Sequence, residues 1–158
     1  VAMRSGQGEY VVGFYRWPRG SRGPFGLEGT TYVRFAEVTT LLNQAGYSFD
    51  LNYDPFEGRL RRQGGEAKHQ VRLERGKCYA AVVAGGGTLK GIQGQLVSAD
   101  GVLGRTSSAG GPVLSLHVCS ERDQQAELII RSLRGEGPYV AQLFVRRGGE
   151  EEQLSRAR

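Results

Sequence analysis

Asp50, Asn52 and Asp54 alternate along the segment FDLNYDPFEG, with Glu57 three residues further on. Oxygen ligands at alternate positions are how a calcium loop begins. An EF-hand also needs Gly at its sixth position and a bidentate Glu at its twelfth. Counted from Asp50, those places hold Pro55 and Arg61, so an EF-hand is excluded. A looser calcium site on Asp50, Asn52 and Asp54 competes with a plainer reading, a turn closed by Asx side-chain bonds. The other metal-ligating types are Cys78, Cys119, His69 and His117. They show neither the Cys-x-x-Cys nor the His-x-x-x-His spacing of a zinc site, so no metal is expected.

Glycines and nucleophiles are weighed in the same way. VVAGGGTLKG looks like a strand feeding a phosphate loop, and Gly85 and Gly87 fit the first half of a dinucleotide fingerprint. Lys90 occupies the third glycine's place, the residues after it alternate like a strand, and no Gly-Lys-Ser/Thr is present. The segment reads as a Gly-rich hairpin turn, and no cofactor is expected. No serine lies in a G-x-S-x-G elbow. Cys119 and His117, two apart on one strand, point in parallel and do not converge. A nucleophile, a base and an orienting group are not assembled, so the chain is expected not to be an enzyme. Tyr10, Phe14, Tyr15 and Trp17 form an aromatic cluster near the start. In a strand, Tyr10 and Phe14 share one face while Tyr15 and Trp17 share the other. Such a face either stacks on sugars or bases, or buries itself as core.

The elements that would carry these residues are mostly strands. Gly accounts for 25 of 158 residues without a triplet period, which favours many turns over long helices. One helix is expected over residues 31–45, where Phe35, Val38, Leu42 and Ala45 recur at helical spacing with Leu41 beside them. Thr30 or Thr31 is placed to cap its start, and Gly46 to end it in the left-handed region. Beyond it, strands recur every eight to twelve residues. CYAAVVAG reads as a buried strand, Asp100-Gly101 as a tight turn, and VLSLHVC places Leu114, Leu116 and Val118 on one face. AELIIRSLRG and PYVAQLFVRR read as a last pair around GEGP. The fold expected is mainly β, an antiparallel, jelly-roll-like β-sandwich with one amphipathic helix. Its core includes Phe35, Leu42, Val82, Val83, Leu96, Leu114, Leu116, Leu128, Ile130 and Val140. Cys78 and Cys119 sit at the ends of β-like runs, where they suit a single staple across a sandwich in an oxidising compartment. The competing reading is two unrelated buried thiols.

The net charge of +5 is spread over loose groups, Arg16, Arg19 and Arg22, then Arg59, Arg61 and Arg62. No dense basic run and no RNP-like or helix-turn-helix motif accompanies them, so nucleic acid is not an expected partner. No apolar stretch reaches 18 residues, so no membrane span is expected. Residues 1–22 read as a terminal strand segment and linker, residues 23–147 as the sandwich with its helix, and residues 148–158 as a polar tail. Gly6, Gly8, Tyr10 and Val11 match Gly135, Gly137, Tyr139 and Val140 at a constant offset. On that echo, residues 1–17 are the closing strand of a preceding repeat, and the chain, opening in mid-pattern, is a mature or excised piece.

Residues 68–147 resemble the pre-peptidase C-terminal β-sandwich family and the related repeats of bacterial envelope proteins. The resemblance rests on HQVRLERGKCYAAVVAG, on IQGQLVSADGVLGRTSS with its Asp-Gly turn, on PVLSLHVC, and on LIIRSLRGEGPYVAQLFV. Gly76-Lys77-Cys78-Tyr79 and the later Cys119 are closer to the envelope repeats. The resemblance implies a non-catalytic structural or adaptor module of an envelope or extracellular assembly, binding a protein partner or itself. It implies a periplasmic, outer-membrane-associated or extracellular location. The alternative is a carbohydrate-binding module that presents the aromatic surface to a polysaccharide.

Overall fold

The structure is a computed structural model and describes residues 27, 29–62, 64–108 and 110–147. The expected terminal segment 1–22 and tail 148–158 lie outside the described residues.

Strand β4 (Lys77–Gly85) shows why the molecule has three layers. Its run CYAAVVAG is apolar at every position, and a strand that does not alternate needs cover on both faces. Tyr79, Ala81 and Val83 enter a cluster between two sheets. Cys78, Ala80, Val82 and Ala84 enter a second cluster on the opposite face. Helix α1 (Gly29–Gln44) covers that face with Phe35 and Leu42.

The first sheet has the order β1 (Ser48–Phe49), β9 (Gly137–Arg147), β4, β7 (Val113–Cys119), with β2 (Phe56–Leu60) also on β9. The second has the order β3 (Glu66–Leu73), β8 (Gln124–Arg134), β5 (Gly91–Ser98), β6 (Gly101–Ser107). All pairings are antiparallel. The expected antiparallel β-sandwich with one helix is the observed fold. All ten residues named for the core are buried, with Val82, Val83, Ile130 and Val140 at 0% exposure. Full burial of such side chains stabilises by about 1.5–3 kcal/mol each.

The helix differs from expectation at its start. It begins at Gly29, so Thr30 and Thr31 lie in the first turn and do not cap it. Leu41 and Ala45 are exposed, because the sheet beneath covers only the stripe through Thr31, Phe35 and Leu42. The end is as expected. Gly46 adopts φ 82°, its N–H donates to the Asn43 carbonyl (3.1 Å), and the Tyr47 N–H donates to the Leu42 carbonyl (3.0 Å). This is a Schellman motif, sealed by the buried side chains of Tyr47 and Leu42.

Three expectations about pairing are corrected. β8 and β9 do not pair with each other, because GEGP carries the chain from one sheet to the other. The segment after β4 is likewise a crossover to β5 in the opposite sheet, not a hairpin turn. A reversal signal marks where the chain turns. Which strand pairs next depends on which face each strand must bury. β5–β6, around Ala99-Asp100 and Gly101, is a true hairpin. Lastly, Cys78 and Cys119 do form a disulfide, but as direct partners on neighbouring strands of one sheet, with Cα atoms 3.9 Å apart, and not across the sandwich. It closes a loop spanning 41 residues. On loop entropy such a staple stabilises by about 4 kcal/mol.

Candidate functional site

Among the described residues the outermost strand of the first sheet is β7, which carries two of the sequence's chemically suggestive residues, His117 and Cys119. Gly85 N–H donates to the Pro112 carbonyl (2.7 Å) and Ser120 N–H to the Lys77 carbonyl (2.9 Å). With the register Cys78↔Cys119 to Ala84↔Val113, hydrogen-bonded and non-hydrogen-bonded pairs alternate between those ends. The backbone groups of Leu114, Leu116 and Val118 therefore face β4. Those of Val113, Ser115, His117 and Cys119 face away from β4, where the sheet ends among the described residues. The side chains follow the same alternation. Leu114, Leu116 and Val118 fill the core between the sheets, as the sequence indicated. Ser115, His117 and Cys119 stand on the helix side.

His117 is held in place by a hydroxyl and an aromatic ring. Its Nε2 is 2.8 Å from Ser115 Oγ, and its ring meets Tyr47 edge-on at 5.9 Å. Arg146 stacks on the other ring of this group, Tyr47, at 4.8 Å, and donates to the Ala45 carbonyl at 3.1 Å. One side of the imidazole loses solvent to this packing, and Arg146 adds a nearby positive charge. Both hold His117 below its usual pKa, burial being the larger cause. Cys119 is committed to the disulfide, so it has no thiol to offer.

Sheet edges are usually protected, and the others here are. β3 carries Glu66 and Lys68, which form an ion-paired ladder with Glu127 and Arg131 on β8. β6 carries Arg105 and a register shift where Leu96 and Val97 meet it. β2 has five residues, including Glu57 and Arg59, and β1 has two. Charges, irregular register and short length are the ordinary means of preventing edge-to-edge pairing. β7 has seven residues, VLSLHVC, with none of these, and the disulfide pins its end to β4.

The remaining candidates are structural or lie elsewhere. Tyr10, Phe14, Tyr15 and Trp17 lie outside the described residues. Asp50 is buried, and its Oδ1 accepts from the Asn52 N–H (3.1 Å) and side-chain amide (2.8 Å), the Asx turn weighed above. Asp54 is exposed. Among the described residues, no group of three or more His, Cys, Asp or Glu side chains is gathered so as to hold a metal ion. His69 lies on β3, far in register from His117, with Nε2 2.7 Å from Tyr139 Oη and its ring stacked on Phe56 at 4.4 Å. Among the described residues, no helix is long and apolar enough to cross a membrane. The chain matches no family model and no curated protein.

Sequence reasoning found the residues of β7 but not their standing as an edge. Strand order depends on long-range pairing, and an edge strand differs from an inner one only by what is missing beside it.

Proposed function

We propose that this chain is a non-catalytic structural or adaptor module that joins a protein partner, or another copy of itself, by adding a strand to β7. The observation that carries the reading is that β7 is the one sheet edge described that is long, uncharged and regular in register. An incoming strand would gain main-chain hydrogen bonds from the outward groups of Val113 and Ser115, since Gly104 of β6 already stands beside the His117 carbonyl. The disulfide keeps that edge from fraying and accords with an oxidising compartment, periplasmic, outer-membrane-associated or extracellular in a bacterium. The resemblance of residues 68–147 to pre-peptidase C-terminal and envelope repeats points the same way. The β-rich segment 8–17 is a natural donor strand from a neighbouring chain.

Ser115→Pro tests the proposal. Its outward N–H is not used by β4, so proline is tolerated there on an edge strand while the docking bond is removed. Light scattering of the full chain over a range of concentrations should show self-association that is lost in the variant and in a deletion of residues 1–22. The melting temperature of Ser115→Pro should stay within a few degrees of the parent, about 1 kcal/mol of stability. Association unchanged by both alterations would reject strand addition at β7.

A further inference from the structure

At one end of the sandwich, three crossovers flank an open cleft of about 570 Å³ lined by Arg62, Thr88, Lys90, Leu133, Arg134 and Glu136, together with Gly135. The sequence scatters these residues over more than seventy positions, and backbone bonds gather them. Lys90 N–H donates to the Arg134 carbonyl (2.9 Å). Gly64 N–H donates to the Ser132 carbonyl (3.2 Å) and Ser132 N–H to the Gly65 carbonyl (2.9 Å), which brings the chain after β2 alongside β8. Thr88 N–H and Oγ1 both donate to the Glu136 carbonyl, at 3.0 and 2.9 Å, and Oγ1 accepts from the Glu136 N–H at 3.0 Å.

Two of the crossovers touch backbone to backbone. A Cβ on Gly135 would stand 1.8 Å from the Thr88 carbonyl oxygen, and one on Gly137 2.1 Å from the Gly86 carbonyl oxygen. Among the described residues, no carboxylate lies within ion-pair distance of Arg62, Lys90 or Arg134. Three cations without an ion-pair partner among the described residues concentrate positive potential in a concave site, where field lines are focused.

We propose that this cleft binds the acidic groups of an anionic glycan. Arg62, Lys90 and Arg134 would hold a carboxylate or sulfate oxyanion. Glu136 would accept hydrogen bonds from sugar hydroxyls, and Leu133, 46% exposed, would meet the C–H face of a ring. The lining favours a glycan over a nucleic acid. Among the described residues, the cleft lining offers no aromatic ring on which bases would stack. The proposal uses none of the Tyr10–Trp17 surface, and it stands apart from strand addition at β7.

The test measures binding of the full chain by calorimetry to four probes, an oligoguluronate, a heparin oligosaccharide, neutral dextran and a single-stranded DNA of similar charge. The two acidic glycans separate carboxylate from sulfate as the preferred group. At least one should bind, and dextran should not. Lys90→Gln with Arg134→Gln should weaken that binding about tenfold or more, as for loss of charge-assisted hydrogen bonds. Arg72→Gln with Arg105→Gln, exposed positions elsewhere with the same charge change, should alter it about twofold or less. Glu136→Gln is the deciding variant. It should weaken glycan binding several-fold by removing a charged acceptor, whereas simple attraction of a polyanion would strengthen. Ser115→Pro should leave glycan binding unchanged. Tighter binding by Glu136→Gln, equal loss in both double variants, DNA bound as well as glycan, or no acidic glycan bound would each overturn the proposal.

Discussion

At the scale of single residues, the two histidines are coupled to stability. His69 is wedged between Phe56 and Tyr139, and burial holds its pKa below the usual 6.5. Burial raises the Tyr139 pKa, so the phenol stays protonated beside it. A depressed histidine is neutral in the fold, and on acidification the unfolded chain takes up the proton first. The stabilisation is fully present above pH 6.5 and is lost as pH falls through the lower folded value. Two charged neighbours on β3 shift away from this window. Hydrogen bonding to Arg131 pushes Glu66 below 4.5, and hydrogen bonding to Glu127 pushes Lys68 above 10.5. Melting temperatures should therefore fall between pH 7.5 and 5, and fall less steeply in His69→Gln. His117 has the same sign and supplies the remaining slope. Parallel pH profiles for the two proteins would show that His69 does not contribute. Both histidines are plain in the sequence. Their partners, seventy residues away for His69, are not.

At the scale of elements, glycine does two different jobs. Gly46 ends the helix, and that was legible because a left-handed residue after an apolar stripe has a local cause. Gly135 and Gly137 instead let two crossovers touch backbone to backbone, with Gly86 N–H donating to the Pro138 carbonyl at 2.8 Å. A sequence shows Gly-rich turns at both places without showing that they meet. Gly135→Ala combines φ 83° with a Cβ 1.8 Å from Thr88, and should cost about 3 kcal/mol or prevent folding. Gly110→Ala meets nothing within 4 Å and should change stability by about 0.5 kcal/mol or less. Urea titrations of both variants distinguish the two roles. An equally mild effect at Gly135 would mean the crossovers can separate.

At the scale of the molecule, β4 and β9 belong to both cores. On β9, Tyr139, Ala141 and Leu143 face the second sheet, while Val140 and Phe144 lie under the helix. Neither cluster can open without exposing the other face of the same two strands, so the three layers should unfold together. Far-ultraviolet and tyrosine circular dichroism should give one coincident melting transition. Phe144→Ala, at 0% exposure and 4.8 Å from the Phe49 ring, should lower stability by about 3–5 kcal/mol without splitting that transition. Two separate transitions would show the helical layer to be an independent unit.

The amino-acid sequence determined what depends on short range. Alternation fixed the strand faces, the continuous run CYAAVVAG fixed a doubly buried strand, the stripe from Phe35 to Leu42 fixed a helix, and the ten core residues followed. Turn residues fixed where the chain reverses. Tertiary structure alone decided which strands pair, because pairing satisfies backbone groups and buried faces over long separations that no local pattern encodes. That decision turned supposed hairpins into crossovers and moved the disulfide from between the sheets to within one. Among the described residues it left β7 at the edge of its sheet, and it gathered Arg62, Lys90 and Arg134 around one cleft.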